Sequence, residues 1–363
     1  MARSDIRLAI LAGGSGTRFW PAGRRSRPKQ VLALDGDDPR PLVELTVDRV
    51  APLSTAAPWI VAPADLSKEL ARHLPHLGKD AYVLEPRPRN TAAAMILTAH
   101  VAAQTAPGST VVALPADHHV RPAGRYRQVL AAMAARAKKS DAIVTLGLKP
   151  DHPATGYGYL EIGERLEKRA VGDVYEVKRF VEKPDARRAK RLVSGGRHLW
   201  NGGTFAFRPE HLLREAAEHL PEVATPIRAA FEQWGKRGFK AALKKAYDVV
   251  PSISVDYGIM ERTRHVETLA SDVEWDDLGS WDAVARHRKP DADGNRMRGD
   301  VTVVDAKDCV VDAGDGHVAL LGVEDLIVVR TKDTVLVARR GCGEDVREIV
   351  KRLEAEGPED LLR

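Results

Sequence analysis

A glycine-rich loop near the start of the chain has the residue types of a phosphate-binding segment. An apolar run over residues 6–12 leads into the loop, which consists of Leu11, Ala12, Gly13, Gly14, Ser15, Gly16 and Thr17 and is followed by Arg18 and Lys29. Glycines let successive backbone N–H groups approach a polyphosphate, and the two cationic side chains can neutralise oxygens further along it. The spacing fits neither a Walker loop nor a dinucleotide fingerprint, because no Gly-Lys-Ser/Thr follows and Phe19 holds the third glycine position. The loop therefore predicts a phosphate site of another class, although glycine-rich turns also serve geometry alone.

Two carboxylates at predicted strand ends could hold a metal ion. Asp117 follows an apolar strand over residues 110–114, and Asp277 lies in the segment Trp-Asp-Asp-Leu-Gly-Ser-Trp over residues 275–281. Carboxylates together with phosphate oxygens form the ligand set that Mg²⁺ prefers. A single aspartate at a strand end is more often a helix cap or a turn residue, so the prediction depends on the pair.

Three further polar segments have both a structural and a functional interpretation. The segment Glu-Pro-Arg-Pro-Arg-Asn-Thr enters an alanine-rich helix that Asn90 or Thr91 can cap. Glu182 and Lys183 end another strand, where they can form a simple ion pair at a sheet edge. Asp256 stands at a predicted helix start, where an N-cap with an acidic first turn is the structural alternative.

Taken in chain order, these segments resemble the motifs of the sugar-1-phosphate nucleotidylyltransferases. The triplets Phe-Trp-Pro and Pro-Lys-Gln, at residues 19–21 and 28–30, are similar to the mannose-1-phosphate guanylyltransferase branch of that family. The resemblance implies that residues 11–17 wrap the nucleotide phosphates. It also implies that Arg18 and Lys29 assist the leaving pyrophosphate.

The resemblance further assigns the metal site and the two substrate sites. It implies that Asp117 and Asp277 chelate Mg²⁺, whereas Asp276 is a solvated neighbour. It places base recognition on four residues after the third predicted strand, Glu85, Arg89, Asn90 and Thr91. It forms the sugar-phosphate pocket from residues of the middle third of the chain, Gly156, Tyr157, Glu182, Lys183, Asn201, Gly202 and Asp256. One polar contact of the family is missing, since Gly203 stands where a serine is usual.

The reaction that the resemblance implies is transfer of GMP from GTP to α-D-mannose 1-phosphate, which yields GDP-mannose and pyrophosphate. A sugar phosphate is already an anionic nucleophile, so His118 and His119 are expected to be positioning or surface residues and not bases. Two alternatives stay open. One is a guanylyltransferase for another sugar 1-phosphate, such as a heptose or glucose phosphate, and the other is a catalytically silent nucleotide-sugar sensor.

The elements that must position these residues alternate between strands and helices. Strand-like runs are predicted at residues 6–12, 59–62, 82–85, 110–115 and 142–148, and helical patterns at residues 42–50, 65–73, 91–104 and 126–137. This alternation predicts an α/β fold with a Rossmann-like, mostly parallel mixed sheet flanked by helices, and with ligands outside the carboxyl ends of the strands. The resemblance identifies this arrangement as the nucleotide-diphospho-sugar transferase fold.

The pattern changes after about residue 295, where short β-rich pieces are separated by Asp and Gly. We predict a nucleotidylyltransferase catalytic domain over residues 1–288, and a small C-terminal β-rich, β-helix-like segment plus an amphipathic helix over residues 295–363. The polar segment 286–298 is the predicted linker. Because similar enzymes carry a comparable tail, this segment is a candidate dimerisation element, and a homodimer is expected.

Composition narrows the class of protein further. The 363 residues are 44% hydrophobic and 29% charged, with a formal net charge of +5 that suits anionic substrates. No apolar run reaches the roughly 18 residues of a membrane span, and the first residues lack the apolar core of a signal peptide, so a cytoplasmic location is expected. Cys309 and Cys342 form no CxxC pair, which argues against a cysteine zinc site or a disulfide framework. Basic residues are spread along the chain, so neither nucleic acid nor a membrane is an expected partner.

Overall fold

The computed structural model of this chain describes residues 5–14 and 16–362. Ser15, which is predicted to bind the nucleotide, lies outside the described residues.

A nine-stranded mixed sheet forms the centre of the larger part of the chain. The strands in this part are β1 Ile6–Leu11, β2 Trp59–Pro63, β3 Tyr82–Glu85, β4 Thr110–Pro115, β5 His119–Arg121, β6 Ile143–Leu148, β7 Tyr159–Glu167, β8 Val174–Val181, β9 His198–Phe207, β10 Val266–Ser271 and β11 Glu274–Asp276. The sheet order is β3-β2-β1-β4-β9-β6-β10-β8-β7, and β5 pairs with β11 in a separate antiparallel ribbon. The pairs among β3, β2, β1 and β4 are parallel, as is the pair β6 and β10, whereas the antiparallel pairs involve β7, β8 and β9. The predicted α/β class is confirmed.

Helices cover both faces of this sheet. They are α1 Leu42–Val50, α2 Ser67–His73, α3 Asn90–Thr105, α4 Ala123–Lys139, α5 Ala186–Ser194, α6 Pro209–His219, α7 Pro221–Phe231, α8 Phe239–Val249 and α9 Trp281–His287. In β1, Leu8 and Ile10 pack with α1, α2 and α4, whereas Ala9 faces α3 and α6 to α8. Because both faces are covered, the inner strands are continuous apolar runs, and this is why they could be found from the sequence. None of the helices in the described part of the chain combines the length and hydrophobicity that a membrane span requires.

The strand order creates a crevice between β1 and β4. β1 pairs in parallel with β2 on one side and with β4 on the other, so the chain order reverses at this point. Leu11 lies opposite Pro115 in the register, and the N–H of Ala116 donates to the carbonyl of Leu11 over 3.0 Å. The glycine loop and the Asp117 segment therefore leave the sheet side by side, where α/β sheets bind their ligands.

The C-terminal part forms a small β-structure followed by a helix. Its strands are β12 Arg296–Val304, β13 Val310–Leu321, β14 Leu326–Arg330 and β15 Val335–Arg339, and its helix is α10 Val346–Glu356. β12, β13 and β14 pair in parallel and β15 closes antiparallel to β14. The sequence predicts separate short pieces in this region, because a glycine such as Gly314 usually interrupts a strand. The structure has one strand, β13, in which Gly314 has a left-handed φ of 55°.

The predicted linker over residues 286–298 is packed and not solvated. The Arg288 guanidinium donates to the carbonyl of Val311 and to Asp312. The Asn295 side chain donates to the carbonyl of Ala306 and accepts the N–H of Cys309. The connection is therefore fixed to β13 and the turns beside it. Apolar side chains of α10, including Val346 and Val350, pack in one cluster with Phe19, Trp20 and Trp281.

Candidate functional site

A cavity of about 330 Å³ opens at the carboxyl ends of β1 and β4. Most of the predicted site residues line it, namely Leu11, Gly13, Gly14, Glu85, Asn90, Thr91, Asp117, Gly156, Tyr157, Glu182, Asn201, Asp256 and Asp277. A larger cleft of about 1310 Å³ adjoins the cavity and contains Thr17, Arg18 and Lys183. The other predicted residues with described positions, Ala12, Gly16, Lys29, Arg89 and Gly202, line neither space.

Lys29 connects the two segments that carry the predicted metal ligands. Its side chain is buried, and Nζ lies 2.9 Å from Oδ2 of Asp117 and 2.5 Å from the backbone oxygen of Asp277. Gly16 has a φ of 60°, and a Cβ at this position would lie 2.6 Å from Cβ of Lys29. Only glycine fits there, so the glycine loop lies directly on the lysine that joins the two aspartate segments.

The two aspartates supply a donor set that fits Mg²⁺. Burial alone would raise the pKa of Asp117, but the charges of Lys29 and His118 and the Lys29 hydrogen bond outweigh it, so the net shift of the pKa is downward. Asp277 is partly exposed and accepts a hydrogen bond from the Tyr157 hydroxyl over 3.1 Å. Hard carboxylate oxygens from both residues face one cavity, which is the chemistry that Mg²⁺ selects.

The loop that holds Asp277 has an unusual backbone. Leu278, the next residue, has a φ of 46°, which costs a non-glycine residue roughly 1–3 kcal/mol. The loop is held in place from both sides, because the N–H of Leu278 donates to Asp276 and the Ser280 hydroxyl caps α9 by accepting the N–H of Ala283. These bonds fix the direction in which the Asp277 side chain leaves the chain.

Asp276 is not the solvated neighbour that we predicted. It is buried and accepts hydrogen bonds from Arg286, His287 and the N–H of Leu278. Burial alone would raise its pKa, but the hydrogen bond from His287 and the charge of Arg286 lower the pKa to about 2. Asp276 therefore has a structural role, which is to anchor the loop that presents Asp277.

Glu85 is a cavity residue with little access to solvent. It is 4% exposed and accepts a hydrogen bond from the Tyr247 hydroxyl over 3.2 Å. Burial raises its pKa to about 7, although the bond from Tyr247 opposes the shift. Nearby, Thr91 accepts the N–H of Val255, and Asn90 has a φ of 63°. A buried hydrogen-bonding group such as the Glu85 carboxyl can discriminate strongly between ligands that differ in their donors and acceptors.

Arg89 lies elsewhere, contrary to the prediction that it recognises the base. Its guanidinium donates to the backbone oxygens of Tyr247 over 2.8 Å and of Asp248 over 3.3 Å. These carbonyls belong to the last turn of α8, which attracts cationic donors. Arg89 therefore stabilises the end of a helix.

The buried carboxyl of Glu85 makes stability depend on pH. Because folding raises its pKa from 4.5 to about 7, the folded state holds an extra proton between these values, and stability falls as pH rises through this window. Replacing Glu85 with Gln removes this titration. We expect the melting temperature of Glu85→Gln, relative to the parent chain, to be higher at pH 8 than at pH 5. Thermal unfolding at both pH values measures this, with Glu222→Gln on the surface as the control. A difference that is independent of pH would contradict the assignment.

Polar residues from three elements meet on the predicted sugar side of the cavity. Asn201 donates to Oδ1 of Asp256 over 3.1 Å and accepts from the Thr145 hydroxyl over 2.7 Å. Burial and the nearby charge of Glu182 raise the pKa of Asp256 to about 7. Lys183 pairs with Glu182 at 2.6 Å and extends into the adjoining cleft. Asp256 makes no capping hydrogen bond, but it opens the short π-helical segment Asp256–Met260, so the acidic first turn of the structural alternative is present.

Gly202 faces away from the cavity, contrary to the prediction that it lets the backbone approach the sugar. A Cβ on Gly202 would lie 3.0 Å from the Leu146 side chain, within the sheet packing. Gly203, with a φ of 66°, lines the cavity instead. Successive residues of a strand point to opposite faces, so a shift of one position changes which glycine reaches the site.

Arg18 is paired with the C-terminal part of the chain. Its guanidinium lies 2.8 Å from Glu344, and both side chains are exposed in the cleft. Exposed ion pairs of this kind contribute little stability, about 0–1 kcal/mol. An incoming phosphate group can therefore compete with Glu344 for this guanidinium at small cost.

Several residues of the cavity were not predicted as site residues. Gln30 is buried beside the cavity and donates to the carbonyl of Ala12 over 2.6 Å, which holds the start of the glycine loop. His118 lines the cavity and accepts from the indole N–H of Trp275, and burial lowers its pKa. His119 lies outside the cavity, but it is buried and therefore not a surface residue. These residues directly follow Lys29 or Asp117 in the sequence, and this proximity is the signal that could have identified them.

Comparison with known proteins is consistent with this geometry. The family described as nucleotidyl transferase is matched over residues 8–293, and one described as a MannoseP isomerase/GMP-like beta-helix domain is matched over residues 299–353. A Sinorhizobium fredii protein named mannose-1-phosphate guanylyltransferase is 36% identical over 353 residues, which cover 96% of this chain and 68% of the relative. A protein of the same name from Escherichia coli K12 is 34% identical over 362 residues, which cover 98% of this chain and 75% of the relative. A Thermus thermophilus crystal structure, described as a mannose-1-phosphate geranyltransferase, has a TM-score of 0.83 and 35% identity and covers 96% of this chain and 99% of that one.

Proposed function

This chain belongs to the nucleotidyl transferase family, and from this premise we propose that it transfers GMP from GTP to α-D-mannose 1-phosphate, forming GDP-mannose and pyrophosphate. The observation that supports the proposal most strongly is the arrangement of Lys29 between the segments of Asp117 and Asp277 at the β1–β4 crevice. The sugar assignment is supported by relatives that are named mannose-1-phosphate guanylyltransferase and are 31–36% identical to this chain over almost all of it.

The reaction needs charge neutralisation and alignment more than proton transfer. An oxygen of the sugar phosphate attacks the α-phosphorus of GTP, a new P–O bond forms, and the bond to the β-phosphate breaks so that pyrophosphate leaves. The nucleophile is already an anion, so His118 is not required as a base. In this proposal Lys29 and Arg18 counter the negative charge on the phosphates, and we assign Lys183 to the phosphate and Asn201 to the hydroxyls of the sugar phosphate. When bound by Asp117 and Asp277, Mg²⁺ supplies further charge neutralisation between the two anionic reactants.

Glu85 supplies the selectivity for guanine in this proposal. Guanine presents two neighbouring N–H donors on its N1 and amino groups, which a carboxylate can accept together, whereas adenine presents an acceptor at N1. Losing a hydrogen bond to a charged group costs about 1.5–3 kcal/mol. We therefore expect Glu85→Gln to lower kcat/KM for GTP roughly 10- to 100-fold at pH 8, and to change the low value for ATP much less. An unchanged ratio of GTP to ATP would remove Glu85 from base recognition.

The function is tested by measuring pyrophosphate release by the purified chain with Mg²⁺. GTP, ATP, UTP and dTTP are each combined with mannose, glucose and heptose 1-phosphates. Preference for GTP with mannose 1-phosphate is the expected result. If another sugar phosphate were preferred, the proposed reaction type would stand and only the proposed acceptor would change. No release with any pair, together with retained GDP-mannose binding, would instead favour the nucleotide-sugar sensor.

A homodimer formed through the C-terminal β-structure is part of the proposal. Val304 and Leu321 lie opposite each other on β12 and β13 and are 54% and 74% exposed. A neighbouring pair of exposed apolar side chains is the kind of surface that a second copy can cover. We expect Leu321→Asp to shift the mass measured by light scattering from dimer to monomer. Val249→Asp, which changes a valine on α8 that is 68% exposed, is the control. A parent chain that is monomeric at micromolar concentration would contradict the dimer.

A further inference from the structure

Two histidines and a glutamate meet beside the β5–β11 ribbon, outside the cavity and cleft described above. His119 begins β5, Glu274 begins β11 and His287 ends α9. Oε1 of Glu274 lies 3.2 Å from Nε2 of His119 and 3.8 Å from Nδ1 of His287, and one ligand atom from each residue can be chosen so that all lie within 4.8 Å of one another. We call these three residues the histidine cluster. In a tetrahedral site with bonds of about 2.0–2.1 Å, ligand atoms lie roughly 3.3–3.4 Å apart, so small adjustments would bring these atoms to a common ion.

The other nitrogen of each imidazole is held by a buried carboxylate. Nδ1 of His119 lies 2.5 Å from Asp35, and Nε2 of His287 lies 3.0 Å from Asp276. Metal-binding histidines usually donate their second N–H to a carboxylate in this way, which fixes the tautomer and aims the free nitrogen at the metal. Here both remaining nitrogens are directed to Glu274. The rings also stack, with centroids 4.0 Å apart, so the two ligands are rigidly placed.

The surroundings of the His119 ring favour a cation at the cluster. Carboxylate oxygens lie close to both of its ring nitrogens. A neutral imidazole has only one N–H, so a nitrogen that donates to Asp35 leaves a lone pair facing the Glu274 carboxylate. A cation bound between Nε2 of His119 and the Glu274 carboxylate relieves this repulsion.

The surrounding charges leave Glu274 available as a ligand. Asp35 lies 3.6 Å from both Arg49 and Arg121, and Asp276 is bound by Arg286. In the described part of the chain, no arginine or lysine side chain forms an ion pair with Glu274. Its side chain is 60% exposed, whereas those of His119 and His287 are 1% and 11% exposed. The cluster therefore opens to solvent on the Glu274 side, where water can complete the coordination.

We propose that the histidine cluster binds one divalent transition-metal ion of the Zn²⁺ class through Nε2 of His119, Nδ1 of His287 and a carboxylate oxygen of Glu274. The imidazole ligands distinguish this site from the Mg²⁺ site, whose donors are oxygens only. Its position suggests a structural effect, because β5 begins two residues after Asp117 and β11 ends one residue before Asp277. A metal across this ribbon ties together the two segments that carry the catalytic carboxylates. Binding itself does not depend on the proposed reaction.

Cobalt binding to the full chain tests the proposal. Co²⁺ is titrated in excess Mg²⁺ while visible absorption is recorded, since Co²⁺ in a four-coordinate site absorbs much more strongly than Co²⁺ in a six-coordinate oxygen site of the Mg²⁺ kind. We expect one equivalent to bind, Zn²⁺ to displace it and Zn²⁺ to raise the melting temperature. Glu274→Gln and His287→Ala are each expected to weaken binding at least tenfold. His119→Gln is the less informative variant, because this buried residue can be needed for folding.

Two controls separate the cluster from other sites. Asp277→Asn removes a predicted Mg²⁺ ligand and should leave cobalt binding intact. His317→Ala removes an exposed histidine on β13 and should also have no effect. Absence of cobalt binding in the folded parent chain would overturn the proposal, and so would binding that is unchanged in both Glu274→Gln and His287→Ala.

Discussion

Asp277→Asn is expected to reduce kcat for pyrophosphate release roughly 10²- to 10³-fold while leaving the chain folded. Asparagine preserves the volume of the side chain and an oxygen that can accept the Tyr157 hydroxyl, but it removes the charge that holds Mg²⁺. Because Asp277 is partly exposed and its carboxylate is not in an ion pair in the described chain, stability should change little. Steady-state kinetics and thermal unfolding of the same preparation measure both effects. A rate close to that of the parent chain would exclude Asp277 as a metal ligand.

The neighbouring residue supplies the matched control for this prediction. Asp276→Asn makes the same chemical change one position earlier, in a buried carboxylate that binds Arg286, His287 and the N–H of Leu278. A hydrogen bond to a charged group contributes about 1.5–3 kcal/mol, and Asp276→Asn weakens several such bonds at a buried carboxylate, so this variant should lose more thermal stability than Asp277→Asn. Equal losses of stability in the two variants would mean that the two carboxylates do not have the separate roles assigned here.

Lys29→Met is expected to lower kcat by a similar factor, roughly 10²- to 10³-fold, through loss of the positive charge between the Asp117 and Asp277 segments. Methionine fills much of the same space under Gly16, so the packing of the glycine loop should be largely kept. In the parent chain, the Lys29 ammonium lies 2.9 Å from the Asp117 carboxylate. Its loss leaves that carboxylate less well compensated, so some thermal stability is lost as well.

The kinetic effect of Lys29→Met can be separated from its effect on folding. Rates are measured well below the melting temperature of the variant and compared with Lys240→Met, which changes an exposed lysine on α8. A fall in kcat in Lys29→Met alone supports the assigned role. Nearly parental turnover in Lys29→Met would show that neutralising the phosphates does not require this residue.

Much of the central sheet could be predicted because its strands are buried on both faces. The predicted bounds of β4, residues 110–115, agree with the structure, and the strand is buried up to Leu114. It is a short apolar run with Pro115 and polar residues after it, and a buried parallel strand requires this pattern whatever its neighbours are. The position of β9 between β4 and β6 could not be inferred in the same way, since strand pairing is not recorded in a local pattern.

Residue types and their spacing were enough to establish the chemical groups of the site: a glycine loop, two carboxylates and a set of cationic side chains, in an order that resembles one enzyme family. Tertiary structure decided how each side chain is used. It directed Arg89 to the end of α8, turned Gly202 toward Leu146, buried Asp276 and brought His119 close to His287. The physical reason is that residue type and local spacing set what a group can do, whereas its direction depends on strand register and on partners from distant parts of the chain.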